Sequence, residues 1–364
     1  MKNPFKMFKR KEPLTDTQLL MTITIVIFFI MYLSAVLFLG GGFLHAKQIF
    51  DMLNDNASLI IVACGLTVVM IGGGIDISVG AVTSLVVMAC VLFLNRGGSI
   101  VGSILLAIGI GLVFGLVQGF LISYLEIQPF IVTLAGLFFA RGMTTILSID
   151  PQKSQHKAFN DLREKKIVSS LLGYTAKNGN KIPAKIELGV VVAVIVVILI
   201  FVMLKYFRLG RNLYAMGGNQ QSALMLGINV KRTRFLSYVI SGLLSGISGY
   251  VFVMHTGAGN ATNALGMEMN AIASAIIGGT LLTGGVGSAI GTFFGTLSLT
   301  TINKIVVSSG LNEPYWQKIT TGGMLSFFIL LQSVVLGRRS GKKSSGKLKA
   351  FLRRFRRSKK EVST

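Results

Sequence analysis

Residues 70–82 read Met-Ile-Gly-Gly-Gly-Ile-Asp-Ile-Ser-Val-Gly-Ala-Val, and long apolar runs lie on both sides of them. One carboxylate, Asp76, lies among four glycines and a serine, at what is expected to be membrane depth. Glycines allow backbones to approach closely and allow a helix to break. An isolated acid in such a run is a candidate functional residue. The alternative is a short turn between two helices, with Asp76 as the N-cap of the second.

The composition indicates a membrane protein. Of the 364 residues, 52% are hydrophobic and 13% are charged, whereas a soluble domain usually carries about 25% charged residues. We therefore predict an all-α, polytopic membrane protein. Cys64 and Cys90 both lie in apolar runs, so no disulfide, metal site or redox motif is expected.

The net charge of +23 is concentrated in three segments. Residues 1–18 contribute +3, residues 205–234 contribute +6 and residues 338–364 contribute +11. Basic residues accumulate on the cytoplasmic side of membrane proteins, so all three segments are predicted to be cytoplasmic. We expect the basic tail, residues 337–364, to face lipid rather than nucleic acid.

The apolar runs predict about ten transmembrane helices within a domain at residues 19–336, because a helix needs about 20 residues to cross the hydrocarbon core. The first run lacks a small-residue cleavage site and is predicted to be an anchor. The predicted spans are 19–39, 57–74, 77–94, 99–121, 130–148, 188–204, 235–254, 270–282, 288–307 and 316–336. An even number of spans places both termini in the cytoplasm, in agreement with their charges.

Four polar segments are predicted to face outward, the last two of them at residues 255–269 and 308–315. Residues 40–56 form the first of them. Residues 150–187 form the second, an extracellular loop whose eight basic and four acidic residues run against the charge rule. This loop is interpreted either as an ordered element that meets a partner or as a flexible linker.

Glycines interrupt the spans at two corresponding places, which is a hint of an internal repeat. Such paired interruptions in the two halves of a transporter indicate its translocation site, although glycine-rich membrane sequence can also coincide by chance. The predicted broken-helix glycines are Gly72, Gly73, Gly74, Gly80, Gly278, Gly279, Gly284, Gly285 and Gly287.

Polar side chains within the spans are the candidates for lining a pathway. Each of them could instead serve helix packing, and Asp76 could also cap a helix and set a gate. The candidates are Asp76, Ser78, Thr83, Gln118, Thr133, Asn303 and Gln332.

The basic loop at residues 205–234 is predicted to contain a short capped helix. Asn219 is a favoured N-cap, residues 220–226 are good helix formers, and Gly227 stands where a helix often ends. Leu224 and Leu226 are expected to give this helix its apolar contacts. Such a helix can slot into a groove on a soluble partner, and the alternative is a connector that lies on the membrane surface. The predicted coupling residues are Asn219, Gln220, Gln221, Ser222, Ala223, Leu224, Met225, Leu226 and Gly227.

Sequence motifs argue against an enzyme. The chain contains no G-x-x-x-x-G-K-[ST], G-x-S-x-G or H-E-x-x-H motif and no zinc-ligand spacing. His45, His156 and His255 are far apart in predicted outward segments. Energy for active transport would have to come from a separate subunit or from an ion gradient.

Three stretches carry a family resemblance. GGGIDISVG (72–80), GRNLYAMGGNQQSALMLGINVKRTRF (210–235) and IASAIIGGTLLTGGVGSAIGT (272–292) resemble the monosaccharide-type permease subunits of bacterial ABC importers, the group of the ribose, xylose and galactose permeases, which stands beside the branched-chain amino-acid permeases. The resemblance covers about residues 57–336. IQPFIVTLAGLFFARGMTTILS (127–148) is similar to galactofuranose-type permeases.

The resemblance implies the following assembly in the inner or plasma membrane. Two permeases, identical or sister subunits, surround one pathway, and two ATPase domains carry ATP and magnesium on the cytoplasmic side. A sugar-binding protein docks outside, and residues 220–227 match the coupling segment. No cofactor is expected on this chain itself. Neither the tail nor the loop at 150–187 inherits a role from the family.

Other functions remain open from the sequence. A permease of the same architecture could carry a nucleoside, an autoinducer or a branched-chain amino acid. An ion-driven secondary transporter would also explain Asp76 and the broken helices, but it does not explain the capped cytoplasmic helix. A non-transporting membrane scaffold would explain only the basic tail.

Overall fold

The computed structural model describes residues 15–40, 43, 45–175 and 181–339, and helices dominate this part of the chain. The helices are α1 Asp16–Leu39, α2 Ala46–Ile71, α3 Val79–Asn95, α4 Ile100–Ser123, α5 Pro129–Leu147, α6 Lys157–Glu164, α7 Leu188–Tyr206, α8 Arg208–Gly218, α9 Gln220–Met225, α10 Val230–Thr256, α11 Met267–Ile277, α12 Ala289–Ser308 and α13 Pro314–Arg339. The strands are β1 Gln152–Lys153, β2 Ile167–Thr175, β3 Lys181–Ile186 and β4 Ala258–Gly259.

The helices confirm a polytopic membrane fold. Eight of the described helices are long and apolar enough to cross a membrane: α1, α2, α4, α5, α7, α10, α12 and α13. Two shorter apolar helices, α3 and α11, complete a set that agrees with the ten predicted spans. Helix α11 has only 11 residues, about half the length that a full crossing needs.

The predicted polar, outward segment at residues 40–56 is helical over most of its length, because α2 begins at Ala46. The polar residues of its first turns have partners within the fold. Lys47 pairs with Asp51 one helical turn away. Asn54 donates to the backbone carbonyl of Lys185 at 2.8 Å and accepts from the backbone amide of Glu187 at 3.0 Å. The helix therefore extends beyond its apolar part.

The chain has two opposite ends, which we name by their elements. The hairpin face holds the antiparallel pairs β1–β4 and β2–β3 together with α6. The α9 face holds α8, α9 and the ends of α2 and α11. The start of α1 belongs to the α9 face, since a Cβ on Gly279 would lie 2.9 Å from the Cβ of Leu20. Residues 1–14 and 340–364, with most of the predicted arm and tail, lie outside the described residues.

The loop predicted at 150–187 is ordered where the structure describes it. It contains β1, α6 and the β2–β3 hairpin, which supports the interpretation as an ordered element. Glu187 fastens the end of this loop to α10, because its carboxylate contacts Lys166 Nζ at 2.7 Å and His255 Nδ1 at 2.6 Å. The two small sheets were not predicted.

Short helix α11 is fastened at its end by the first and the last helix. The hydroxyl of Thr24 in α1 donates to the carbonyl of Ile277 at 2.7 Å. The amide of Gln332 in α13 donates to the carbonyl of Ile276. Both carbonyls belong to the last turn of α11, where the donors of a continuing helix are missing, and the carbonyl of Ile276 also accepts from the amide of Gly279.

Helix α10 crosses the centre of the fold and packs closely against α4. Small residues make this approach possible. A Cβ on Gly242 would lie 2.4 Å from the carbonyl oxygen of Gly111, and a Cβ on Gly246 would lie 2.4 Å from the carbonyl oxygen of Ala107. Backbone-to-backbone packing of this kind is a frequent basis of helix association in lipid.

We expect Gly242→Ala to lower the free energy of unfolding by about 1–3 kcal/mol, because the new methyl group meets backbone that cannot move aside cheaply. Gly109→Ala is the matched control, because Gly109 lies in α4 and has open space at its Cβ position. It should be neutral or stabilising by up to about 1 kcal/mol. Thermal unfolding in detergent measures both, and equal midpoints would contradict the packing argument.

The stability of the fold depends on pH through the carboxylate of Glu187. Burial raises the pKa of this carboxyl, but hydrogen bonds from His255 and Lys166 outweigh burial and bring the pKa to about 2. The ordinary value is about 4.3, so the ionised carboxylate stabilises the fold fully above that pH and loses this contribution as the pH falls towards 2. Thermal midpoints measured from pH 6 down to about 3 should therefore fall less steeply in Glu187→Gln than in wild type. Glu164→Gln, at an exposed position in α6, should follow wild type, and identical slopes for all three proteins would refute the assignment.

Candidate functional site

The first glycine break ends α2 in a tight, hydrogen-bonded turn. Gly73 has a φ of +79°, a left-handed conformation that favours glycine. Its amide donates to the carbonyl of Met70 at 2.9 Å, and the amide of Gly74 donates to the carbonyl of Val69 at 3.1 Å. This pair of bonds is the Schellman arrangement, which satisfies the last carbonyls of a helix.

The second break ends α11 in the same way. Gly279 has a φ of +92°. Its amide donates to the carbonyl of Ile276 at 2.9 Å, and the amide of Thr280 donates to the carbonyl of Ala275 at 2.9 Å. The two predicted interruptions are thus alike in backbone geometry as well as in composition.

The two breaks touch each other and α8 through their backbones. The amide of Gly285 donates to the carbonyl of Ile71 at 2.9 Å. A Cβ on Gly284 would lie 2.9 Å from Gly73, and a Cβ on Gly217 would lie 1.9 Å from the carbonyl oxygen of Ile71. Gly217 therefore serves a close approach at the end of α8. We call this contact the glycine junction.

Most of the other predicted break glycines also leave no room for a side chain. Of the nine, all but Gly73 have an atom within 3.0 Å of the place where a Cβ would stand. A larger side chain would meet backbone at Gly278, Gly284 and Gly285, and the end of a neighbouring side chain at Gly72, Gly74 and Gly80.

Asp76 lies just beyond the first break and is 2% exposed. Its Oδ1 accepts hydrogen bonds from the backbone amide and the hydroxyl of Ser78, at 3.0 and 2.7 Å. Its Oδ2 accepts from the hydroxyl of Ser241 in α10 at 2.8 Å. Within the described residues, no salt bridge reaches Asp76. The expectation of Asp76 as an N-cap was wrong, since the N-cap of α3 is Ser78.

Ser78 extends this cluster to α4, because the amide of Gln118 donates to the hydroxyl of Ser78 at 3.0 Å. The structure therefore brings together three predicted residues, Asp76, Ser78 and Gln118. Sequence reasoning missed Ser241 and also Tyr238, whose hydroxyl donates to the carbonyl of Ile75 at 3.1 Å. The available signal was the four-residue spacing of serines along α10, at positions 237, 241 and 245.

The remaining pathway candidates lie apart from this cluster. Thr83 and Thr133 donate to carbonyls of their own helices, at Val79 and Pro129. Gln332 serves the end of α11, as described above. The Oδ1 atom of Asn303 in α12 has no hydrogen-bond partner within the described part of the chain.

A cavity of about 310 Å³ lies between α4 and α5, directly beside Gln118. A Cβ on Gly136 would lie 2.1 Å from Nε2 of Gln118, so the absent side chain leaves room for the amide. The amide thus stands between the cavity and the Asp76 cluster. Apart from Gln118 the lining is apolar, with Val113, Phe114, Val117, Leu121, Val132, Ala135, Gly136 and Phe139.

The short helix predicted in the basic loop is confirmed as α9. Oδ1 of Asn219 accepts from the backbone amide of Ser222 at 2.9 Å, and Gly227 has a φ of +77°. The expected apolar contacts were wrong, because Leu224 is 54% and Leu226 is 78% exposed. The helix α8 that precedes α9 was not predicted.

Two charged side chains within the spans were not predicted to be functional. Arg141 in α5 donates to the backbone carbonyls of Asn263 at 2.7 Å and Ala264 at 2.9 Å. Glu268 in α11 is 8% exposed, and its Oε2 has no hydrogen-bond partner among the residues that the structure describes. The signal that could have found both is an ionisable residue inside an apolar run.

Comparison with known proteins gives a consistent set of relatives. The profile of a family described as branched-chain amino acid transport system / permease component matches residues 48–329. The chain is 33% identical over 339 residues to fructose import permease protein FruG of Bifidobacterium longum, covering 92% of this chain and 95% of that protein. It is 37% identical over 327 residues to inner membrane ABC transporter permease protein YjfF of Escherichia coli, covering 90% and 93%. Ribose import permease protein RbsC of Escherichia coli is 27% identical over 304 residues, covering 84% and 91%.

No solved structure is significantly similar to this chain. The matched range of the family profile contains both glycine breaks, the Asp76 cluster and α9. Since it spans well over half of the residues, this multi-pass membrane protein belongs to the family of branched-chain amino acid transport system permease components.

Proposed function

We propose that this chain is the permease subunit of an ATP-driven importer and forms the path by which a monosaccharide crosses the membrane. Relatives that cover most of the chain are named as import permeases for fructose, ribose and galactose or methyl galactoside. These names favour a monosaccharide over a nucleoside, an autoinducer or a branched-chain amino acid. Family membership argues against an ion-driven transporter and against a scaffold.

The observation that carries the proposal is the exposed, capped helix α9. Three consecutive apolar side chains, Leu224, Met225 and Leu226, are 54%, 88% and 78% exposed. Ala223 is buried and fastens the helix to the rest of the fold. Exposed apolar side chains on a short, fixed helix suit a groove on a soluble partner. That partner is the ATPase, which carries ATP and magnesium, so this chain binds no cofactor and is not an enzyme.

The glycine junction offers a physical route from α9 to the spans. Helix α9 follows α8 after the single residue Asn219. The end of α8 contacts the backbone of both breaks at Ile71 and Gly285. A displacement of α9 by the ATPase is thereby transmitted to α2 and to the loop before α12. This supports alternating access, in which the spans rock about the pathway.

The remaining partners follow from the same proposal. A second permease, identical or sister, completes the pathway, two ATPase domains bind the α9 face, and an extracytoplasmic sugar-binding protein docks on the hairpin face. The α9 face and both termini are then cytoplasmic, and the membrane is the bacterial inner or plasma membrane. The basic charge of residues 205–234 supports this orientation.

Asp76, Ser78 and Gln118 are the pathway residues that the geometry favours. They link the first break to α4 and α10, beside a cavity that Gln118 borders. Thr83, Thr133, Asn303 and Gln332 are weaker candidates, because three of them are engaged by neighbouring backbone carbonyls.

The docking of the ATPase is tested by placing a charge on α9. Met225→Asp should reduce co-purification of a P-loop ATPase with the permease by about tenfold or more, the change that a loss of roughly 1.4 kcal/mol of binding produces. Leu311→Asp is the matched control, since Leu311 is 38% exposed in the loop before α13 on the opposite face. Its co-purification should equal that of wild type. If wild type retains no P-loop ATPase, the importer proposal fails; if Met225→Asp retains it fully, only the role of α9 fails.

The charge of Asp76 is tested by Asp76→Asn. The carboxamide oxygen can still accept from Ser78, and the hydroxyl of Ser241 can turn to accept from the new amide, so the fold should survive. If the path uses the charge, solute uptake falls by at least about tenfold, while the amount of assembled transporter stays constant. Radiolabelled sugar uptake, normalised to co-purified ATPase, measures this effect. Normal uptake would show that Asp76 serves packing alone.

A further inference from the structure

The segment at residues 257–266 enters the membrane domain from the hairpin face and is called here the re-entrant segment. Near its start, a Cβ on Gly259 would lie 3.3 Å from Cα of Met88 in α3. Near its end, the carbonyl oxygen of Ala264 would lie 3.1 Å from a Cβ on Gly80, in the first turn of α3. Eight helical residues separate these two levels, so the segment descends by about 12 Å along α3.

Arg141 holds the lower part of this segment. Its guanidinium donates to the carbonyls of Asn263 and Ala264, at 2.7 and 2.9 Å. Arg141 lies in the middle of α5, and a cation at such a position in a span is costly unless it is paired. The contact therefore fastens the re-entrant segment to α5 through backbone carbonyls.

Glu268 lies beside the end of the re-entrant segment, close to Gly80. It follows the left-handed Gly266, which is the N-cap of α11, and it interacts electrostatically with Arg141. A Cβ on Gly80 would lie 2.2 Å from its Oε2 atom, so the missing side chain of Gly80 makes room for the carboxylate. That oxygen has no donor among the described residues. A buried acceptor without a donor costs free energy, and the electrostatic attraction between Glu268 and Arg141 offsets this cost while the two side chains stay close.

We propose that Arg141 and Glu268 are positioning residues of an outward gate formed by the re-entrant segment. In the closed state the pair holds residues 257–266 against α3 and α5. Opening towards the hairpin face separates the guanidinium from the carbonyls and withdraws the segment. The inference rests on the proposed import function, because it assigns the hairpin face to the side from which solute arrives.

The test measures opening from outside. In a background with Cys64→Ala and Cys90→Ala, a single Met267→Cys replaces a side chain that is 8% exposed, at the start of α11. Whole cells are treated with a membrane-impermeant maleimide, and the rate of labelling is recorded. Arg141→Met and Glu268→Gln should each raise this rate by about tenfold or more, because the labelling rate follows the fraction of molecules in which the gate is open.

A matched reporter separates gating from general loosening. Ser274→Cys lies two helical turns deeper in α11 and is 0% exposed, so its labelling should stay slow in all variants. Unchanged labelling at position 267, or an equal rise at both positions, would overturn the gate. Failure of the importer proposal is distinguishable, because it appears as the absence of a co-purified ATPase from the unmodified protein and does not alter the labelling rates.

Discussion

The glycine junction is the contact on which the rest of the structure depends. The amide of Gly285 donates to the carbonyl of Ile71 at 2.9 Å, and Gly217 lies so close to that carbonyl that a Cβ would stand 1.9 Å from it. Three segments that are far apart in the sequence therefore meet without intervening side chains. Since backbone groups set the spacing, α8 cannot move without moving the end of α2 or the loop before α12. Both glycine breaks become parts of one mechanical unit with the basic loop.

The Asp76 cluster follows the first glycine break directly in the chain, so its position depends on the glycine junction. Ile75 and Asp76 follow the turn at Gly73 and Gly74 with no helix between them, so the position of the turn fixes the position of the carboxylate. Ser241 and Gln118 then bind the cluster to α10 and α4. Since no described cation forms a salt bridge with Asp76, hydroxyl and amide donors stabilise its carboxylate, and such hydrogen bonds are sensitive to small displacements. A displacement of the first glycine break should therefore change the hydrogen bonds of Asp76.

Local sequence patterns predicted the parts of this arrangement that are themselves local. Gly73, Gly279 and the capped helix behind Asn219 follow from the conformational needs of helix ends, which neighbouring residues decide. The bond between Asp76 and Ser241 joins residues 165 apart, and no periodicity in either segment contains that information. The same holds for Arg141 and the re-entrant segment. The helical start of α2 over its polar residues was not predicted, because their partners at residues 185 and 187 lie on another element. The exposure of Leu224 and Leu226 was missed for the opposite reason, since an apolar residue in a sequence does not reveal whether its partner is in the same chain.

The fastening of α11 by Thr24 and Gln332 has a consequence for biosynthesis. With 11 residues, α11 leaves its final carbonyls within the apolar layer, where an unsatisfied carbonyl is costly. One donor comes from α1, which leaves the ribosome before α11, and the other from α13, which leaves it afterwards. The carbonyl of Ile277 is therefore satisfied as soon as α11 meets α1, whereas the carbonyl of Ile276, which already accepts from the amide of Gly279, gains its second donor only after α13 has been inserted. A chain that ends before α13 contains every residue of the glycine junction and of the Asp76 cluster, and it still lacks the side chain that ties α11 to α13.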